Sequence, residues 1–458
     1  MNTIILEPTD VLFFRDGRPM EGSLAGHGAG WPTPNVISAA LHAALHRSGF
    51  VGHPHRRGAR GVYASDAQRD RKYGSLTVAG PFPVKAGNKG ETWFFPRPLD
   101  IQNASLDPAL LPTDAFDPID SSLPEPLAYA VANLQPPNKD SLAKAWLSKT
   151  AYENYLKEAN SIENESVKDE DFADQEQNIG IGIDPATGTT GQGEAEGKLY
   201  SAHYLRLRDD WRMGLLAETH DKDFKPHSGD MVKALFDGQD KHRIIVGGQQ
   251  RVCTASLQTC KIQLPAGKRS GFNRNQHGTK YLVKWILLSP AVWPDIPAQS
   301  KEGASLKPHT GGWLPNWVDQ QTGAVLLKSG NTERQNGETR ISWRERVRGF
   351  HSIAAQLVAA IVPKPIIVTG YALPNDAADA PNGGAKSTHL AVPAGAVYYF
   401  EADSEAEAQN LADALNWHGN DPDSTTVRNR RSTLLGEKGF GLGVCGTWHF
   451  WGATKANP

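Results

Sequence analysis

Residues 12–45, LFFRDGRPMEGSLAGHGAGWPTPNVISAALHAAL, set the order that the rest of the chain follows. They come just after a short apolar run, Ile4 to Leu6, which reads as a strand. Arg15 and Arg18 flank an Asp-Gly turn, and a glycine-rich segment extends from Gly22 to Gly30. Beyond Trp31, Pro32 and Pro34, the apolar positions Val36, Ile37, Ala40, Leu41, Ala44 and Leu45 fall on one helical face. Proline is tolerated in a first helical turn, where its missing N–H has no partner anyway. Strand, basic turn, glycine loop and helix start put guanidinium groups and free backbone N–H groups at one end of a sheet. Unpaired donors and the helix dipole favour anions there. The expected ligand is a phosphate backbone.

The chain has 458 residues, which predicts two or three domains. Its net charge is −2, whereas a protein coated by nucleic acid is strongly basic. Any nucleic-acid contact is therefore a local patch. Cys253, Cys260 and Cys445 give neither a paired framework nor zinc spacing. His42 and His46 lie one turn apart with no third ligand marked, so neither a metal nor a cofactor is expected. There is no bilayer-length apolar run and no leader pattern, so the expectation is a cytoplasmic protein without membrane contact.

The segment HPHRRGAR, residues 53–60, holds Arg56 and Arg57 and reads equally as a phosphate-contacting loop or a solvated basic one. Residues 75–135 are proline-rich and read as irregular structure; residues 139–160 read as a helix. The acidic segment 160–177 reads as an exposed insertion that repels RNA. Residues 179–207 form a long hairpin with a glycine-rich tip. In HRIIVGGQQRVCTASLQ, residues 242–258, Gly247 and Gly248 interrupt a strand, which signals close backbone approach, with Arg251 just beyond. A boundary near 260 divides the chain into 1–260 and 261–458.

The second half runs strand (281–289), helix (342–361), strand (PIIVTGYAL), strand (GAVYYFEA), serine-capped helix (404–419) and final strand. That is the ferredoxin-like order. The first half fits it with insertions: strand 2–7, helix 34–47, hairpin 179–207, helix 230–236, strand 242–257. The fold class expected is α+β: two ferredoxin-like (RRM-like) βαββαβ domains with large insertions and a projecting β-hairpin.

Several stretches recur together in one family. They are LEPTDVLFFRDGRP, the PTP before the first helix, the GID…G…LY hairpin, IIVGGQQR, LLSPAVWP with GGWLPNW, PAGAVYYFE, and the tail GEKGFGLGVCGTW. In these the chain resembles RAMP proteins of CRISPR effector complexes, most closely the third subunit of the Cmr (type III-B) complex. The resemblance implies a non-catalytic subunit that grips the repeat-derived 5′ tag of the crRNA. It also implies contacts with the large polymerase-like subunit and the first backbone subunit, with target RNA met only indirectly. The hairpin, about residues 183–199, would act as a thumb where tag meets guide. Asn178 stands where the family often has a basic residue.

The residues expected at RNA are Arg15, Arg18, His27, Trp31, Arg56, Arg57, Arg251, Arg430, Arg431 and Lys438. Arginine forks onto phosphate with two parallel bonds. Trp31 reads either as a base-stacking ring or as a packed one. His27 in the glycine loop supports an alternative, a metal-independent repeat-RNA endonuclease of the same superfamily. Such an enzyme needs a second proton-handling partner, and none is marked. GLGVCG, residues 441–446, has G-x-G-x-x-G spacing but lacks the strand–turn–helix context of a dinucleotide site. Gly436, Gly439, Gly441, Gly443 and Gly446 read as a loop against RNA or a neighbouring helix.

Overall fold

The computed structural model describes residues 1–15, 24–25, 30–50, 76–87, 90–101, 109–111, 124–132, 145–158, 165–184, 186–190, 199–219, 229–275, 278–301, 304–330, 332, 335, 337–372 and 384–450. The principal elements of the first half are β1 (Asn2–Pro8), β2 (Leu12–Phe13), α1 (Pro34–Arg47), β3 (Leu76–Gly87), β4 (Gly90–Pro96), β5 (Trp146–Ser148) and α2 (Lys149–Leu156). There follow β6 (Ser166–Val167), α3 (Asp169–Phe172), β7 (Ala173–Ile181), β8 (Leu199–Leu207), β9 (Trp211–Thr219), α4 (Met231–Ala234), β10 (Lys241–Ile245) and β11 (Val252–Gln258). The second half contributes β12 (Tyr281–Leu287), α5 (Arg340–Gly349), β13 (Ala355–Ile361), β14 (Val397–Ala402), α6 (Glu405–Leu415) and β15 (Gly443–Thr447).

Two antiparallel sheets dominate this mixed α and β fold. The first runs β10-β11-β1-β9-β3-β4-β5-β6. Within it β1 is flanked by β11 and β9, and β9 pairs onward with β3, all antiparallel. The second places β12 between β15 and β14, with β13 beyond β14, again antiparallel.

Side-chain alternation sorts each strand between two cores. On β1, Ile4 and Leu6 join Ile37, Leu41 and Leu45 of α1, while Ile5 faces the opposite way. On β12, Val283, Trp285 and Leu287 pack with Leu411 and Leu415 of α6. Leu282 and Ile286 meet Ile5, Phe82 and Leu216 of the first sheet. The two sheets thus share one core, which also takes in α2, with α1 and α6 on their outer faces. Burial on both faces explains why YLVKWILLS reads as a continuous apolar run.

Two expectations change. Residues 76–87 and 90–96 are strands of the first sheet, not irregular structure. Pro81 and Pro83 hide this; Gly80 and Pro81 together stand opposite Leu215, a register irregularity between Gly214 and Leu216. The helix expected over 342–361 ends at Gly349, and Ala355–Ile361 is a strand on β14. Its apolar, β-branched residues are buried by sheet pairing instead. Most of the described part of the acidic segment is exposed, and it is anchored to the fold at Phe172. Phe172 is buried against Trp31, Trp146 and Trp211, and Trp146 Nε1 donates to Asp169 at 2.7 Å.

Candidate nucleic-acid interface

β7 and β8 pair antiparallel from Ala173↔Leu207 to Ile181↔Leu199. Ile179, Ile181 and Ile183 follow at alternate positions, so they share one face, and they are 71%, 56% and 63% exposed. Apolar side chains so placed do not serve the core. At the tip the Asp184 carboxylate accepts from Ala186 N at 2.8 Å, and Ile183 bridges Thr190.

The foot of this hairpin joins the start of the chain. β2 pairs with β8, setting Phe13 opposite Tyr204, ring centroids 5.5 Å apart. The turn between β10 and β11 then seats on the same point: Gly248 N donates to Phe13 O at 2.9 Å. Gly247 has φ +78°, and a Cβ there would stand 2.5 Å from Phe13 O. The close approach signalled by the glycine pair is therefore onto Phe13.

This turn delivers Arg251. Its guanidinium lies 5.0 Å from the Tyr204 ring centroid, in cation–π range. Gln249 Oε1 accepts from Tyr204 Oη at 2.8 Å and from Arg251 Nη2 at 3.4 Å. Asp10 lies 3.8 Å from Arg251 and 3.0 Å from Arg206. Arg206 also pairs with Glu176, and Arg208 with Asp174 at 2.7 Å. These carboxylates hold Arg206 and Arg208 above the usual guanidinium range, the hydrogen bonds that the arginines donate to Glu176 and Asp174 being the largest cause. The Arg206 and Arg208 pairs are solvent-exposed and worth little, so phosphate can replace Asp10 at Arg206, while Arg251 beside it is partly buried. Exposed Arg15 continues the same stretch beyond Phe13. The result is an open surface with arginines, two rings tilted 50° to each other and exposed amides of Gln249 and Gln250, suited to a backbone and its bases.

Of the residues expected at RNA, Arg15 is exposed two positions after Phe13, and Arg251 lies over the Tyr204 ring. Arg18, His27, Arg56 and Arg57 lie outside the described residues. Trp31 is packed: its ring meets Trp146 and Phe172 edge-on, and Nε1 donates to Pro81 O at 3.0 Å. Arg430 and Arg431 are turned inward. Arg431 Nε donates to Ala414 O at 2.7 Å, satisfying a carbonyl at the end of α6, and Arg430 Nη1 donates to Val427 O at 3.1 Å. Burial brings both guanidinium groups down to about 10, still charged at neutral pH. Lys438 closes a short 3-10 turn, Gly436–Lys438. The tail glycines admit close neighbours: a Cβ on Gly443 would collide with Trp285 Nε1, and one on Gly441 with Ser432 N. Sequence reasoning missed Tyr204, Arg206 and Asp10. The alternation in YLRLR, residues 204–208, was the available signal.

The sequence profile of one family, CRISPR-associated protein (Cas_Cmr3), matches residues 4–448. The chain belongs to this family. The Cas_Cmr3 chain also aligns with solved structures of low similarity. One is described as a cryo-EM structure of the type III-B Cmr-beta bound to cognate target RNA: 14% identity, 87% of this chain and 86% of the other, TM-score 0.39. Another is a Csm3–Csm4 subcomplex of the type III-A CRISPR-Cas interference complex: 10% identity, 88% and 97%, TM-score 0.34. No curated protein matches the Cas_Cmr3 chain. Among its described residues no helix is long and apolar enough to cross a membrane, and no group of three or more His, Cys, Asp or Glu is placed to hold a metal.

Proposed function

We propose that this chain is the crRNA-anchoring subunit of a type III-B effector complex, holding the repeat-derived 5′ tag and cleaving no bond. The observation that carries the reading is the Arg251–Tyr204–Phe13 seat at the foot of a hairpin whose apolar face is exposed. Arginine forks there take phosphates, the amides and rings take bases, and the isoleucine face wedges where tag meets guide. The large subunit and first backbone subunit are the protein partners, and target RNA is met through the guide.

The strand orders β11-β1-β9-β3 and β15-β12-β14-β13 support two ferredoxin-like units, 1–260 and 261–458. In each, the last strand lies beside the first and the third separates the first from the second.

The test is binding of tagged crRNA to the Arg15→Ala/Arg251→Ala protein. The expected loss is greatest at low salt, because phosphate contacts release counterions. Parental affinity at low salt would refute the reading. Incubation of the parent with repeat RNA in EDTA is expected to leave the RNA intact; a single cut would instead support the endonuclease.

A further inference from the structure

The crossover from β12 to β13 carries a helix that the core does not use. None of the residues of α5 is buried. The outer face of the second sheet is instead filled by Trp293, Leu314, Val318 and Val325, beside α6. Along one side, α5 is tied to the residues that flank it in the chain. Thr339 Oγ1 accepts from Ser342 N at 3.1 Å, and Trp343 Nε1 donates to Thr332 O at 2.9 Å. Arg346 makes two bonds to Glu338, 2.8 and 3.1 Å, and lies 5.7 Å from the Phe350 ring centroid.

The other side carries Arg340, Arg344 and Arg348, all exposed. Steps of four residues put them in a row, about 6 Å apart along the axis. Among the described residues none of these three has a carboxylate partner, whereas Arg346, on the attached side, does. Like charges four residues apart destabilise a helix, and no burial offsets that here. An anionic partner accounts for the row. A rigid line of evenly spaced forks suits a polymer of evenly spaced charges better than the irregular carboxylates of a protein surface.

We propose that α5 is a second RNA-backbone contact, with Arg340, Arg344 and Arg348 holding phosphates along one single strand. The inference rests on the chain being an RNA-binding protein, but it places this contact on the second sheet's unit, apart from the hairpin foot and Arg251.

The experiment measures affinity of the full-length protein for a fluorescein-labelled oligouridylate across a salt series. It compares the parent, Arg251→Ala, and the triple variant Arg340→Ala/Arg344→Ala/Arg348→Ala. Alanine keeps the helix, and the three side chains are exposed, so the thermal midpoint should not move. Three lost contacts should flatten the slope of log K against log salt by about 2, since each contact on single strands contributes about 0.7. The triple variant should lose affinity at low salt whether or not Arg251 is present. If the parent binds and the triple variant binds with the same slope, the α5 contact is refuted and the hairpin reading stands. If the parent does not bind at all, both fall. If the triple variant loses binding to polyglutamate but not to oligouridylate, the partner is an acidic protein and the proposal is overturned.

Discussion

Lys284 Nζ lies 2.9 Å from the Asp100 carboxylate inside the core shared by the two sheets, and both side chains are under a tenth exposed. Tyr155 of α2 donates to the same carboxylate at 2.6 and 2.7 Å, and the ammonium sits 4.0 Å from the Tyr155 ring centroid. Lys284 is the charged interruption in YLVKWILLS, and Asp100 comes from a segment far away in the chain. The pair links the second sheet to the insertion of the first half.

Removing one member leaves a buried charge alone, which typically costs about 3–5 kcal/mol, more than a well-packed apolar replacement of both. Lys284→Met should therefore lower the urea midpoint sharply. Lys284→Met with Asp100→Asn should recover most of the loss. Equal midpoints for the single variant and the parent would show that the pair does not hold the halves together.

Glu158, at the end of α2, predicts an acid-sensitive junction. Burial alone would raise its carboxyl, but hydrogen bonds from His449 and Asn273, with the charges of His449 and Lys284, bring it down to about 2 from the ordinary 4.5. A depressed carboxyl stabilises the fold fully above its unfolded value and loses that contribution as pH falls through the folded one. Stability measured by chemical denaturation should therefore decline between pH 4.5 and about 2. Glu158→Gln should be less stable at neutral pH and flatter across that window. An unchanged pH slope in Glu158→Gln would show that other carboxyls govern acid unfolding.

How much of this was legible depends on what each residue answers to. The serine before α6 caps it as expected, Ser404 Oγ accepting from Glu407 N at 3.2 Å. Such local signals read straight from sequence. Residues 355–361 did not, because AQLVAAI suits either a helix or a buried strand, and the neighbour β14 decides. Arg431 looks like any phosphate-seeking arginine until the end of α6 is seen beside it. Gly247 and Gly248 marked a close approach next to Arg251, but Tyr204, whose ring the guanidinium faces, lies on another strand. Residues meeting across long sequence separations leave only such indirect marks.

Gly247 offers the sharpest separation of site from scaffold. It has φ +78°, and any Cβ would stand 2.5 Å from Phe13 O, next to the bond from Gly248 N to that same oxygen. A left-handed non-glycine residue costs about 1–2 kcal/mol before any clash. The strain falls on a turn whose four residues are exposed, although a Cβ would also stand 2.9 Å from the buried Phe14 ring. Gly247→Ala should therefore lower the global midpoint only modestly, yet shift Arg251 off Tyr204. The expected result is weakened crRNA binding approaching that of Arg251→Ala, with faster amide exchange confined to residues 246–252 and Phe13. Adding Gly247→Ala to Arg251→Ala should weaken binding little further, because both act through the same guanidinium. Full additivity of the two losses would mean that the turn does not work by presenting Arg251.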